Sequence, residues 1–173
     1  MEITKPLNLK RWVESNRHLL KPPVGNKVVY EDGDFIIMVV GGPNERKDYH
    51  VDPLEEFFYQ LEGDMMLKII DNGKKVDMII KEGEIFLLPK NIPHSPQRFS
   101  NTVGLVVEYK RSGGVFDTFQ WYCDSCHNLL HEVNVELEDI VLQLPVVFES
   151  YWENISARTC KSCGEIQEPT DKK

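Results

Sequence analysis

From Lys27 to about Arg111 the chain is cut into short runs rich in Val, Ile, Phe and Tyr by Asp32-Gly33, Gly41-Gly42, Glu62-Gly63, Asn72-Gly73 and Glu82-Gly83. Glycine supplies the positive φ of tight reversals, so runs this short and evenly spaced become strands that fold back on one another. Asn72-Gly73, between Met66–Asp71 and Lys75–Ile80, is the strongest hairpin signal, because both residues tolerate the left-handed backbone of a type I′ turn. The pattern calls for an antiparallel sandwich or barrel, a mainly β fold.

The flanks differ in kind. Leu9, Trp12, Val13, Asn16, Leu19 and Leu20 follow a mostly apolar helical period that stops at Lys21-Pro22-Pro23, so a short N-terminal helix is expected. Ser112-Gly113-Gly114 breaks the strand pattern and divides a barrel, residues 1–112, from an appendage, residues 113–173. In the appendage, Phe119–Cys126 reads as a strand entering a thiolate knuckle, and Val135–Asn154 carries a helical period in which Pro145 is suited to the first turn of a second helix. The last ten residues are polar and are expected to fray.

A chain of 173 residues that is 41% hydrophobic can bury one sizeable core with such an appendage. Its net charge of −8 and scattered Lys and Arg argue against nucleic acid or an anionic membrane as partner. No apolar run approaches the ~20 residues that span a bilayer, and Met1–Lys5 lacks the apolar core of a secretion signal, so the expected compartment is the cytoplasm. All four cysteines fall in two CxxC pairs, Cys123/Cys126 and Cys160/Cys163, a spacing that reads as a closed tetrathiolate site for zinc or a single iron.

Within the strand region lie two histidines and a pair of carboxylates: His50, Glu55-Glu56 and His94. On one straight strand His50 and Glu56 would stand ~20 Å apart, too far for one ion. Asp52-Pro53 between them favours a turn, which lets the two side chains meet from neighbouring strands. Adjacent glutamates on a strand point to opposite faces, so only one can look inward. Two imidazoles and one carboxylate leave coordination positions open, as non-haem Fe(II) oxygenases require for substrate and O2. A single histidine is more often a hydrogen-bonded polar group, and adjacent glutamates are more often solvated surface. The combination is what points to a metal.

The segments holding these residues resemble the two motifs of the cupin superfamily: Glu56 with six residues to Gly63 in the first, and Gly83, Pro89 and His94 in the second. The resemblance selects Glu56 over Glu55. Where the first motif usually has a second histidine, this chain has Asp52, which reduces the expected ligands to His50, Glu56 and His94. Lys21–Asn26, Gly41–Asn44, Asp52–Gln60, Phe86–Pro89, His94–Arg98 and Trp121–Cys123 are similar to the 3-hydroxyanthranilate 3,4-dioxygenase family, and the CxxC pairs to its bacterial-type form with an additional rubredoxin-like metal site. The resemblance implies a jelly-roll barrel with a short N-terminal helix and a C-terminal helical segment closed by the four-cysteine knuckle. It also implies a homodimer and an Fe(II)-dependent opening of 3-hydroxyanthranilate by O2, whose product closes spontaneously to quinolinate, a precursor of NAD.

The same resemblance assigns further residues. Arg98, four residues after His94 and therefore on the same strand face, is expected to clamp the substrate carboxylate. Arg46 is placed beside O2, where fixed positive charge stabilises developing negative charge on oxygen. Glu108, a lone carboxylate in an apolar strand, is expected to contact substrate and take its phenolic proton, the alternative being an ion pair with Lys110 or Arg111. Glu56 is expected to contact substrate as well as metal, and Asn26 to be an oxygen-side contact from a loop resembling a mobile lid. Two other functions fit the barrel. Another cupin enzyme would keep the metal triad without needing Arg46, Arg98 and Glu108 together, and a non-catalytic binding barrel would tolerate loss of Glu56.

Overall fold

A computed structural model describes residues 3, 5–22, 25–30, 33–111, 113–137 and 140–170. Pro23 and Val24 of the expected lid loop, Asp32 of the first turn and Ser112 at the expected boundary lie outside these residues. The described chain begins with α1 (Leu9–Asn16), extended by a 3-10 turn (Arg17–Leu19). The strands are β1 (Asn26–Tyr30), β2 (Phe35–Gly41), β3 (Asp48–Val51), β4 (Glu56–Glu62), β5 (Met65–Asp71), β6 (Lys74–Ile80), β7 (Ile85–Leu88), β8 (His94–Arg98), β9 (Val103–Tyr109), β10 (Asp117–Tyr122) and β11 (Leu129–Val135). Helices α2 (Ile140–Glu153) and α3 (Ile155–Arg158) follow. No helix among the described residues is long and apolar enough to cross a membrane.

The strands form two antiparallel sheets, one in the order β1-β2-β9-β4-β7 and the other β11-β10-β3-β8-β5-β6, which face each other as the expected jelly-roll barrel. Side chains alternate along each strand, and β4 and β5 show it cleanly: Glu56, Phe58 and Gln60 on one and Met65, Leu67 and Ile69 on the other are buried. Phe58, Met65, Leu67, Ile69, Ile80, Leu88 and Val106 pack as the core between the sheets. The β5–β6 hairpin turns at Asn72 and Gly73, both at positive φ, with Asp71 opposite Lys74.

Helix α1 is capped by Asn8, whose side chain accepts from the Arg11 N–H at 3.0 Å. It buries Val13, with Leu20 beyond it, on Val39 and Val103, so it covers one end of the outer face of the five-stranded sheet. Gly41 and Gly42 permit close backbone approaches there: a Cβ on either would lie 1.9 Å from the Leu20 or Phe99 carbonyl oxygen respectively.

Three C-terminal expectations are corrected. Val135, where the helical period was expected to begin, is instead the last residue of the strand Leu129–Val135, which pairs with β10 at the edge of the six-stranded sheet. Pro145 lies inside α2 instead of starting a second helix. It costs one intrahelical hydrogen bond near the N-terminal end, and Leu144, Val147 and Phe148 hold that helix to the Phe119–Trp121–Tyr151 cluster. The tail is anchored as far as Gln167, which is buried, accepts from the Tyr151 hydroxyl (2.7 Å) and donates to the Tyr122 carbonyl (2.9 Å).

Candidate active site

His50 on β3 and His94 on β8 are direct cross-strand partners in the six-stranded sheet, while Glu56 opens β4 in the opposite sheet. The carboxylate therefore meets the imidazoles across the barrel interior and not from a neighbouring strand. The reversal between them is an Asx turn, in which Asp52 Oδ1 accepts from the Leu54 N–H at 2.7 Å. Glu55 is exposed and Glu56 buried, as the alternation requires.

Oε1 of Glu56 lies 2.9 Å from His94 Nε2 and 3.3 Å from His50 Nδ1. The other ring nitrogens are engaged outward: His94 Nδ1–H donates to the Ile92 carbonyl (2.9 Å) and His50 Nε2–H to Asp117 Oδ1 (2.6 Å). When neutral, two rings held this way turn lone pairs toward Glu56 Oε1, a buried oxygen to which neither then donates. A cation reconciles three lone pairs facing one another, so the set fits a metal ion. A proton on His50 meets the same demand. Burial disfavours charge on His50, yet hydrogen bonds to Asp117 and Glu56 push its pKa up to about 9. Burial opposes ionisation of Glu56, but the two imidazoles hold it well below the usual carboxylate range.

The triad opens onto a cavity of about 180 Å³ that also reaches Asn26, Arg46, Arg98 and Glu108, with Met38, Val40, Phe58 and Val106 among its apolar walls. Every residue expected around substrate and O2 thus meets one space. Arg98 shares the inward face of β8 with His94, and its guanidinium donates to Gln60 Oε1 at 3.3 Å. Among the described residues no carboxylate pairs with it, and burial alone pulls its pKa down to about 10, which leaves it a cation at neutral pH. Glu108 stands opposite Glu56 on β9; burial and then the Glu56 charge raise its pKa to about 7, against the pull of Arg111 3.0 Å away. Glu108 therefore lines the cavity and also makes the ion pair with Arg111 that was the alternative expectation. Arg46 is ion-paired with Asp48 and lies over the Phe148 ring, 5.7 Å from its centroid. Asn26 is exposed at the mouth.

Asp117 and Gln60 were missed by sequence reasoning, and Arg111 entered it only as an alternative ion-pair partner of Glu108. Asp117 lies two residues before the expected strand, but it alternates with Phe119 and Trp121 on the inward face of β10, which is a readable sign of a carboxylate placed inside. The pairing of Arg111 with Asp52 and Asp117 gave no such sign, since only the fold brings these carboxylates to it.

The four cysteines form a second cluster at the far end of β10. Cys123 and Cys163 Sγ are 3.6 Å apart, and Cys126 and Cys160 Sγ 3.5 Å. These separations are too long for disulfides and close to the ~3.8 Å edge of a tetrahedron with ~2.3 Å metal–sulfur bonds. The two knuckles are built alike: His127 and Gly164, each following the second cysteine at positive φ, donate N–H to the carbonyls of Cys123 and Cys160.

A family model described as 3-hydroxyanthranilic acid dioxygenase matches residues 1–152. A "3-hydroxyanthranilate 3,4-dioxygenase" of Jannaschia sp. (strain CCS1) is 56% identical over 92% of this chain and 89% of its own length. Proteins of the same name from Shewanella woodyi (51% identical; 92% and 85% of the chains) and Neurospora crassa (48%; 95% and 91%) are similar over comparable spans. Among solved structures, a protein of Neisseria meningitidis superposes with a TM-score of 0.50 at 21% identity, covering 61% of this chain and all of that one, a likeness of fold. With identity near or above one half across nine-tenths of its length, the chain belongs to the 3-hydroxyanthranilic acid dioxygenase family.

Proposed function

We propose that this protein opens the ring of 3-hydroxyanthranilate with O2, inserting both oxygen atoms to give 2-amino-3-carboxymuconate semialdehyde, with Fe(II) held by His50, Glu56 and His94. The observation that carries this reading is the pairing of an electron-rich, cation-demanding triad with an uncompensated buried guanidinium across one small cavity. An aminophenol bearing a carboxylate satisfies both. When bound, iron supplies the redox chemistry that a triplet O2 needs to react with a closed-shell ring.

The protein's own groups do the rest. Arg98 receives the substrate carboxylate, trading a lone interaction with Gln60 for a bidentate charge-assisted pair. Glu108, with its pKa near 7, is poised to accept the phenolic proton at neutral pH. Arg46, kept in place by Asp48, presents positive charge where negative charge grows on oxygen, and Asn26 adds a polar contact at the same mouth. Glu56 touches substrate as well as metal. The apolar walls exclude water from the reacting ring.

At the thiolate cluster we propose a zinc or single iron ion that holds the C-terminal segment in place. Residues 113–173 are proposed as an appendage packed on the 1–112 barrel, joined to it by pairing of β10 with β3. A homodimer through the outer face of the five-stranded sheet is supported by its exposed Phe35, Ile85, Leu87 and Tyr109. Sedimentation at twice the 20.1 kDa chain mass is the expected result, and a monomer contradicts it.

Isotope labelling tests the reaction. Under 18O2, quinolinate formed from the product carries one labelled oxygen in a carboxylate, the second having left as water when amine and aldehyde condense. Unlabelled quinolinate overturns the proposal.

A further inference from the structure

Arg111 and Asp117 have no part in the roles above, yet both are as enclosed as the metal triad. Asp117 is fully buried, and the Arg111 side chain is 4% exposed. Arg111 spends its donors on its own chain: Nη2 reaches Asp52 (2.6 Å) and Asp117 (2.8 Å), Nε reaches Asp117 (3.2 Å), and Nη1 reaches Glu108 (3.0 Å) and the Tyr109 carbonyl (3.0 Å). Although it lines the cavity, a guanidinium so occupied is no substrate clamp. Its charge also fills the role a second cation would take among the neighbouring groupings His50/Asp52/Asp117 and Asp52/Glu56/Glu108.

Asp117 passes this order to His50. The imidazole is fixed on three sides: Nε2 bonds Asp117, Nδ1 faces Glu56, and the ring stacks on Phe119 at 5.1 Å and 14°. His94 is fixed in the opposite sense, with Nδ1 outward on Ile92 and Nε2 inward. The two histidines therefore offer different ring nitrogens to the same centre, and each choice is set by the hydrogen bond its other nitrogen makes.

We propose that Asp117, held by Arg111, is a positioning residue that makes His50 present Nδ1 to the metal, and that Arg111 ties this ligand to Glu108 through one guanidinium. Asp52 then has a purpose in the place of the usual second histidine: it is the carboxylate that seats Arg111 and is not a ligand. The inference rests on the reading that His50, Glu56 and His94 bind a metal.

The test measures metal affinity of the intact chain by chelator competition with Co(II), counting as the site's ion the equivalent that is absent in Glu56→Ala. Asp117→Asn is expected to bind it 10- to 100-fold more weakly, the usual cost of losing an outer partner of a ligating histidine. Arg111→Lys should weaken it in the same direction, and the double variant less than additively, because both act through one bond chain. Unchanged affinity in folded Asp117→Asn, or strict additivity, overturns the inference while leaving the triad intact. If His50→Ala instead keeps the ion, the triad reading itself fails. Should Asp117→Asn not fold, long-range 1H–15N spectra of zinc-loaded wild-type protein decide. An Nε2-protonated His50 supports the proposal, and an Nδ1-protonated ring refutes it.

Discussion

Arg98 and Arg111 are buried alike and used differently. Among the described residues Arg111 is surrounded by three carboxylates and Arg98 keeps one weak contact to a neutral amide, so of the two it is Arg98 that has its charge to give to a ligand. Removing one partner of a buried charge pair costs about 2–4 kcal/mol, so Arg98→Ala is expected to raise KM for 3-hydroxyanthranilate roughly 30- to 1,000-fold while the protein keeps its metal. An unchanged KM would remove Arg98 from the site. Glu108 makes a pH prediction whose sign follows from its role. A base must be ionised; burial and the Glu56 charge raise its pKa to about 7, so its ionised fraction, and with it kcat/KM, falls as pH drops below about 7. A pH profile flat through neutrality would show that Glu108 is not the base.

At the scale of elements, strand β9 approaches β8 and β4 closely because position 104 is glycine. A Cβ there would lie 2.5 Å from Arg98 Nη1 and 2.8 Å from Gln60 Oε1. Gly104→Ala is therefore expected to displace the guanidinium and raise KM while leaving metal content unchanged, a pair of readings that steady-state kinetics and elemental analysis separate. Loss of metal with no change in KM would contradict it. Elements with a strong local signal were legible in the sequence: the Asn72-Gly73 hairpin and the Pro-terminated α1, while the inward place of Glu56 over Glu55 came from the family resemblance. What was not legible depends on tertiary packing. β11 is an edge strand whose alternation at His131, Val133 and Val135 runs straight into a helical period, so the two patterns blurred. Pro145 is tolerated within α2 because the aromatic cluster beneath the helix outweighs one lost hydrogen bond. Arg111 and Asp52 are 59 residues apart, and no local pattern announces their pairing.

For the whole molecule, one strand, β10, serves both the proposed iron site and the four-cysteine cluster. Asp117 and Phe119 in its first half contact His50, and Cys123 follows its last residue. Cys123→Ser should remove one of about two metal ions per chain, because three thiolates hold the ion less well than four, and elemental analysis that still finds both would refute the tetrathiolate assignment. The central claim is the joint use of triad, Arg98 and Glu108 on one substrate with O2. Its most direct test is an oxygen-electrode trace of anaerobically purified, Fe(II)-loaded protein given 3-hydroxyanthranilate. The account predicts that O2 and substrate disappear one for one, and a flat trace at saturating substrate would contradict it.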